Sequence, residues 1–234
     1  MMSEAALTQD HQGEREVRLG KIEKMRARGI PPFASSFDRT HKISAVFEDF
    51  GEAENLRDSA ELVAEPRTDA AVAGRVVLKR EHGKIGFLRL LDQSGEIQVM
   101  VNKMNCQIVV DGQRWEEIPS AEMTAFKFVE KMVDVGDWIG VRGEVFRTHK
   151  GELTIFAAEF AFLSKAVRPL GDKRHGVQDQ DLLYRHRYLD MIHREETRKR
   201  MIFRADFVRA MREFYRQEGF LEIDCPVLTP AASG

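Results

Sequence analysis

A change of period in the middle of the chain most constrains its fold. From Ala71 to Leu163 the apolar residues stop recurring at three and four and begin to alternate. AVAGRVVLKRE, KIGFLRLLD, GEIQVMVN, DWIGVRGEVFRT and GELTIFAAEFAFLS are five runs rich in Val, Ile and Phe, broken by Gly–Lys, Ser–Gly, Gly–Asp and Lys–Gly pairs that read as turns. Alternation sends successive side chains to opposite faces, so each run is a strand with one face for a core. Between the third and fourth runs, Ser120 to Val133 carries Met123, Phe126, Phe128, Val129 and Met132 at helical spacing.

Three strands, a helix and two strands is the order of a five-stranded OB-fold barrel, although other small barrels also have five strands. The flanks have a different period. Glu14 to Arg28 places Val17, Ile22 and Met25 near helical spacing, and Gly29 and IPPF end that helix and force an extended run. Ser44 to Leu62 reads as a second, acidic helix and Pro66 to Ala70 as a loop. After the barrel, Arg168 to Ile192 (RPLGDKRHGVQDQDLLYRHRYLDMI) is too rich in Arg, Tyr and Asp for a flexible linker and reads as a structured hinge. Phe203, Phe207, Val208, Met211, Phe214 and Tyr215 then mark a helix over Glu195 to Gly219. FLEIDCPVLTP starts a strand that Pro226 interrupts, which places it at an edge or an interface. The division expected is a helical extension over 1–70, the barrel over 71–165, the hinge over 166–194 and the start of a second domain over 195–234.

Charge and cysteine usage exclude several classes. The formal net charge of −2 argues against a general polyanion binder. Basic residues nevertheless collect in the first two strand-like runs and from Lys165 to Arg204, where they could follow phosphates or form a solvated surface. Cys106 and Cys225 stand far apart with no zinc spacing, so neither a disulfide scaffold nor a metal site is expected. No run of 18 apolar residues and no basic-then-apolar leader are present, which points to a cytoplasmic protein with no membrane partner.

Within KIGFLRLLD, Phe87 and Arg89 share one face while Leu88 and Leu90 share the other. An aromatic on the polar face of such a barrel is a candidate platform for a stacked base, or else a barrel-end Phe covered by the N-terminal segment. Gln98 is either a base-reading amide or an ordinary polar residue of an edge strand.

These residues carry a resemblance. The helix followed by GFLEIDCPVL resembles motif 1 of the class II aminoacyl-tRNA synthetases, a dimer-interface element. KIEKMRARGIPPF, FDRTHKI, VAGRVVLKREHGKIGFLRLLDQSGEIQVMV and the hinge are most similar to the lysyl-tRNA synthetases. The resemblance covers nearly the whole chain, weakly over Met1 to Val17 and Met104 to Ser120. It implies a β-barrel plus α architecture: an anticodon-binding OB-fold with N-terminal helices, followed by the first helix and strand of a truncated α+β catalytic domain. It further implies anticodon contacts by Arg75, Phe87, Gln98 and Glu152, with Gln98 and Glu152 reading the central uridine, and a homodimer interface at Phe203, Phe207, Met211, Phe220 and Pro226. The implied activity is ATP-dependent attachment of lysine to tRNA. The implied partner is the anticodon stem-loop of a lysine tRNA, and ATP and Mg2+ serve the full-length enzyme. Motifs 2 and 3, which hold them, are not in this sequence, so no catalytic residue is expected here and the chain is expected to bind RNA without charging it. A non-catalytic tRNA-binding or oligomerisation module derived from a synthetase is the alternative.

Overall fold

The computed structural model describes residues 4–52, 69–103, 106–110, 112–115, 117–118, 123–170 and 180–226. Contacts divide the chain into two units, Met1–Pro169 and Leu170–Gly234.

In the first unit the helix α1 spans Glu4–Arg26, starting ten residues before the apolar pattern begins. Ile22 and Met25 are buried, but Val17 is exposed. Gly29 (φ 71°) ends α1 by the mechanism its sequence suggests. Ile30 N donates to Met25 O and Gly29 N to Arg26 O, with the buried side chains of Met25 and Ile30 closing a Schellman turn. The proline segment then runs beside the barrel, where Ala34 N donates to Leu163 O and Lys165 N to Pro32 O. Helix α2, Ile43–Phe50, accounts for the start of the expected acidic helix; 53–62 and most of the Pro66 to Ala70 loop lie outside the described residues. Asp92 caps α2 from the barrel, accepting from Ile43 N through one oxygen and from Ser94 and Gly95 through the other.

The barrel is formed by β1 (Ala70–His82), β2 (Ile85–Leu91), β3 (Glu96–Asn102), β8 (Trp138–Arg147) and β9 (Leu153–Ser164). β1 pairs antiparallel with β2 and β8, β2 with β3, and β8 with β9. A parallel pairing of β3 with β9 at Gln98↔Thr154, Val99↔Ile155 and Met100↔Phe156 closes the ring, as the OB-fold reading expects. Leu88, Leu90, Ile97, Val99, Val101, Ile139, Val141 and Ile155 fill it. Helix α3, Ala125–Met132, is shorter than the expected 120–133 and is N-capped by Thr124, whose hydroxyl accepts from Lys127 N. All five residues of its predicted stripe are buried. Lys79 crosses from β1 to its C-terminal end and donates to the carbonyls of Glu130 and Val133.

Two short strands after β3 add to the sheet. β4 (Gln107–Val110) pairs parallel with β9 at Gln107↔Glu159 and turns through Gly112 (φ 79°) into β5 (Gln113–Trp115). β6 (Glu117–Ile118) and β7 (Met123–Thr124) form a small second sheet. β4 and β5 therefore continue the sheet along β9 beyond the stretch that closes the barrel. Cys106, buried before β4, has its thiol pushed up to about 12 by burial, with Glu159 adding to the shift, so it stays protonated.

A buried ionic cluster pins α1 to the exit of β9. Lys165 Nζ lies 2.6 Å from Asp134 Oδ2, 2.6 Å from Asp137 Oδ2 and 2.7 Å from Met132 O, while Lys21 of α1 reaches Asp134 Oδ1 at 2.6 Å. Arg18 donates to the carbonyls of Val135 and Ala166. Burial pushes the Asp134 carboxyl up, but hydrogen bonds from Lys165 and Lys21 outweigh it and hold the group below the ordinary carboxylate value.

In the second unit the hinge contains α4 (Gln180–Arg185) and α5 (Arg187–His193), with 171–179 outside the described residues. The RYLD run is built around Asp190, which is 3 % exposed and accepts from Arg187 and from Thr197. Helix α6 spans Glu195–Gln217. Gly219 (φ 84°) ends it as expected, with Phe220 N bonded to Tyr215 O and the two rings 5.6 Å apart edge to face. The expected strand is not formed over 220–226, because no neighbouring strand among the described residues of this unit offers a ladder to join. No described helix is long and apolar enough to cross a membrane.

Candidate nucleic-acid interface

Directly opposed residues of paired strands share a face, so the registers around the barrel trace rows across its outside. One row runs Arg80, Phe87, Met100, Phe156 and Glu144 across β1, β2, β3, β9 and β8. The next runs Leu78, Arg89, Gln98, Thr154 and Phe146. The first presents an aromatic on an apolar footing and the second a polar strip beside it.

Phe87 is half-buried and rests on a small cluster of Met100, Phe146 and Phe156, separate from the barrel core, with Ile85 alongside. Phe146 and Phe156 meet edge to face at 6.4 Å. The underside of Phe87 is thus packed while part of its surface stays open, as a preformed stacking platform requires.

In the polar row, Gln98 is not an edge residue, because β3 is paired on both sides. Its Nε2 donates to Thr154 Oγ1 at 3.0 Å, and Thr154 in turn donates to Glu152 O at 3.1 Å. A hydroxyl has one proton, so spending it on a carbonyl leaves Thr154 to accept from Gln98, which fixes the amide orientation. Glu152, half-exposed at the end of the β8–β9 turn, accepts from Arg89 Nη2, and Arg89 Nη1 lies 3.9 Å from Glu96. Phe87, Gln98 and Glu152 are therefore brought together, with Arg89 at their centre. Sequence reasoning noticed Arg89 only as the charged neighbour of Phe87; its pairing with Glu152, 63 positions away, is a product of barrel closure.

Arg75 is placed differently from the other three. It pairs with Leu91 and Trp138, donates to Gly136 O at 3.0 Å and lies over the Trp138 ring at 5.2 Å. Burial lowers its guanidinium below the ordinary value, with Asp137 offsetting part of the effect, and the group remains a cation. A register shift between Val76 and Leu78 breaks the alternation of β1, so that Arg80 is the basic residue opposite Phe87. Arg80, Lys84 and Lys103 are exposed at this end of the barrel, and Lys103 N bonds to Lys84 O. These are cations available to phosphate oxygens.

In the second unit, Phe203, Phe207, Met211 and Phe220 are exposed, by 70 % in the case of Phe203, and Pro226 is exposed as well. Phe203 and Phe207 stack at 6.3 Å along α6. Among the described residues, no group of three or more His, Cys, Asp or Glu side chains could hold a metal ion.

Residues 70–163 match the family model of the OB-fold nucleic acid binding domain, and residues 179–234 match that of the class II tRNA synthetases (D, K and N). The chain is 38 % identical over 219 residues to a lysine–tRNA ligase of Carboxydothermus hydrogenoformans, covering 94 % of this chain and 39 % of that protein. It is 36 % identical over 218 residues to the lysine–tRNA ligase of Moorella thermoacetica, covering 93 % and 39 %, and 37 % identical over 219 residues to that of Lactococcus lactis subsp. lactis, covering 94 % and 40 %. The chain spans about two-fifths of the length of the curated relatives it matches.

Proposed function

We propose that this chain, which belongs to the class II tRNA synthetases of the D, K and N group and aligns with the N-terminal part of lysine–tRNA ligases, binds the anticodon loop of a lysine tRNA on the outer rows of its barrel. The observation that carries this reading is the juxtaposition of Phe87 on its own apolar footing with the polar row of Arg89, Gln98 and Thr154 and the neighbouring Glu152. Phe87 stacks on one base, Gln98 and Glu152 face the edge of the central uridine, and Arg80, Lys84 and Lys103 meet the phosphates of the loop. Arg75 supports the strand end where it packs on Trp138 and does not touch the base.

The relatives are ligases, and their reaction, attachment of lysine to tRNA at the expense of ATP with magnesium, is the activity of the protein to which this anticodon module belongs. Localisation in the cytoplasm follows from the same reading. The exposed Phe203, Phe207 and Met211 face of α6, with Phe220 and Pro226 beyond it, serves homodimer formation.

Binding of a fluorescent 17-nucleotide hairpin with a UUU anticodon tests the reading. Phe87→Ala should weaken it by about 1–3 kcal/mol, roughly 5- to 150-fold, the usual worth of one stacked base. The affinity should also fall as salt rises. Equal affinity before and after the substitution refutes this assignment.

A further inference from the structure

Donor and acceptor bookkeeping on the polar row points to a base-reading role for Arg89. The hydrogen-bond chain Gln98 Nε2 to Thr154 Oγ1 to Glu152 O turns the Gln98 amide NH2 toward Thr154 and its carbonyl oxygen away from it. The Glu152 carboxylate is an acceptor as well. The Gln98 carbonyl and the Glu152 carboxylate therefore offer acceptors to the central base, and the second N–H of the Gln98 amide stays beside its own carbonyl as a neutral donor. Acceptors suit the N3–H of uracil and the N4 amino group of cytosine equally, so the two acceptors cannot by themselves tell the bases apart. The difference lies at position 4 of the ring, a keto acceptor in uracil and an amino donor in cytosine. Discrimination needs a fixed donor aimed at that position.

We infer that Arg89 is that donor and is a specificity-determining residue of the interface. Arg89 lies directly opposite Gln98 in the β2–β3 register, and its Nη2 is held by Glu152. Glu96, 3.9 Å from Nη1, draws the other side of the fork. A guanidinium has five N–H donors in one plane, so anchoring one on Glu152 leaves others directed from a fixed position. Presented with uracil, Arg89 donates to the keto oxygen while Glu152 or the Gln98 carbonyl accepts from N3–H. Presented with cytosine, the same N–H meets the amino hydrogens and N3 brings a lone pair against a carboxylate, so two contacts become repulsive. Arg89 is half-exposed, so it is accessible to a base, and its partner Glu152 is exposed to a similar degree, 37 % and 41 % for the two side chains.

This inference rests on reading the face as an anticodon site, and the test separates the two. Affinities of the full chain are measured for RNA hairpins with UUU and UCU anticodons, for the wild type, Arg89→Met and Arg89→Lys, with circular dichroism confirming the fold. The wild type should prefer the UUU hairpin. Arg89→Met should reduce the U-over-C ratio by about tenfold, within the range expected for one base contact. Arg89→Lys restores the charge and the salt dependence, but a point donor cannot hold Glu152 and a base together, so its ratio should stay below the wild-type value. If Arg89→Met weakens both hairpins equally, or if Arg89→Lys keeps the full ratio, Arg89 acts only as a phosphate contact or a strut and the inference fails. If Arg89→Met does not fold, Arg89→Lys alone decides. A wild-type chain with no preference for UUU overturns the underlying site assignment instead.

Discussion

Lys165→Met is the sharpest probe of how the barrel is held to its N-terminal helix. The Lys165 ammonium is fully buried and touches Asp134, Asp137 and the Met132 carbonyl at 2.6, 2.6 and 2.7 Å. Methionine matches the length of the stem but removes the charge and all three hydrogen bonds. Asp134 keeps Lys21 and is partly exposed, so it is only half orphaned. Asp137 is different. Its side chain is fully buried, and only the backbone N–H groups of Asp134 and Ala166, both at 2.8 Å, still support it. Removing one partner from a buried ion pair costs about 3–5 kcal/mol, which for a unit of this size lowers the melting temperature by roughly 6–20 °C. Burial already raises the Asp137 carboxyl above its ordinary value with Lys165 present, and loss of the ammonium raises it further. A carboxyl whose folded value lies above its unfolded one binds protons more readily in the folded state, so its contribution to stability falls as pH rises through that interval. The deficit of Lys165→Met should therefore be largest at neutral pH and shrink as pH drops toward about 4. Urea unfolding followed by circular dichroism across this range measures it, and adding Asp137→Asn should restore part of the loss at neutral pH. A variant within about 1 kcal/mol of the wild type, or a deficit independent of pH, would refute the view that this cluster is a paired, desolvated clamp.

Two further outcomes follow from the packing. A side chain at Gly143 would run into the carbonyl of Phe156 on the neighbouring strand, at the register shift after Arg142. Gly143→Ala should thus cost about 1–3 kcal/mol, the usual range for overpacking, and should disturb the footing of Phe87; an unchanged urea midpoint would show the approach is looser than described. Phe207→Asp places a charge on the exposed apolar face of α6, so a wild-type chain that sediments as a dimer at micromolar concentration should become monomeric, whereas a monomeric wild type would remove that face as the dimer surface.

What could be read from the sequence was local. Alternation marked the five barrel strands and the inward face of β2, because Leu88 and Leu90 differ from Phe87 and Arg89 whatever the partner strand. Gly29 and Gly219 announced helix ends because a left-handed residue is needed there and glycine adopts it without strain. The family resemblance supplied Phe87, Gln98 and Glu152, and the parallel closure of β3 on β9 brings them together. Where the sequence misled, a nonlocal contact was responsible. A shift in β1 that only pairing with β2 defines sets Arg80, in place of Lys79, opposite Phe87. The hairpin β4–β5 was unreadable because its strands are short and one of them finds its ladder on β9, about fifty residues away. The segment 220–226 carries a strand pattern without a strand to pair with among the described residues of its unit, and pattern alone forms no ladder.

The periods, the turns and the residue types offered to each face are set along the chain, since they depend on neighbours within one turn or one pair of positions. Which donor faces which acceptor is set by the folded barrel. The orientation of the Gln98 amide depends on Thr154, the anchoring of Arg89 on Glu152 and the pairing of Lys165 on Asp134 and Asp137, each across 28 to 63 positions of chain. Hydrogen bonds and ion pairs act over a few ångströms in space, and closing the barrel makes such distant positions neighbours.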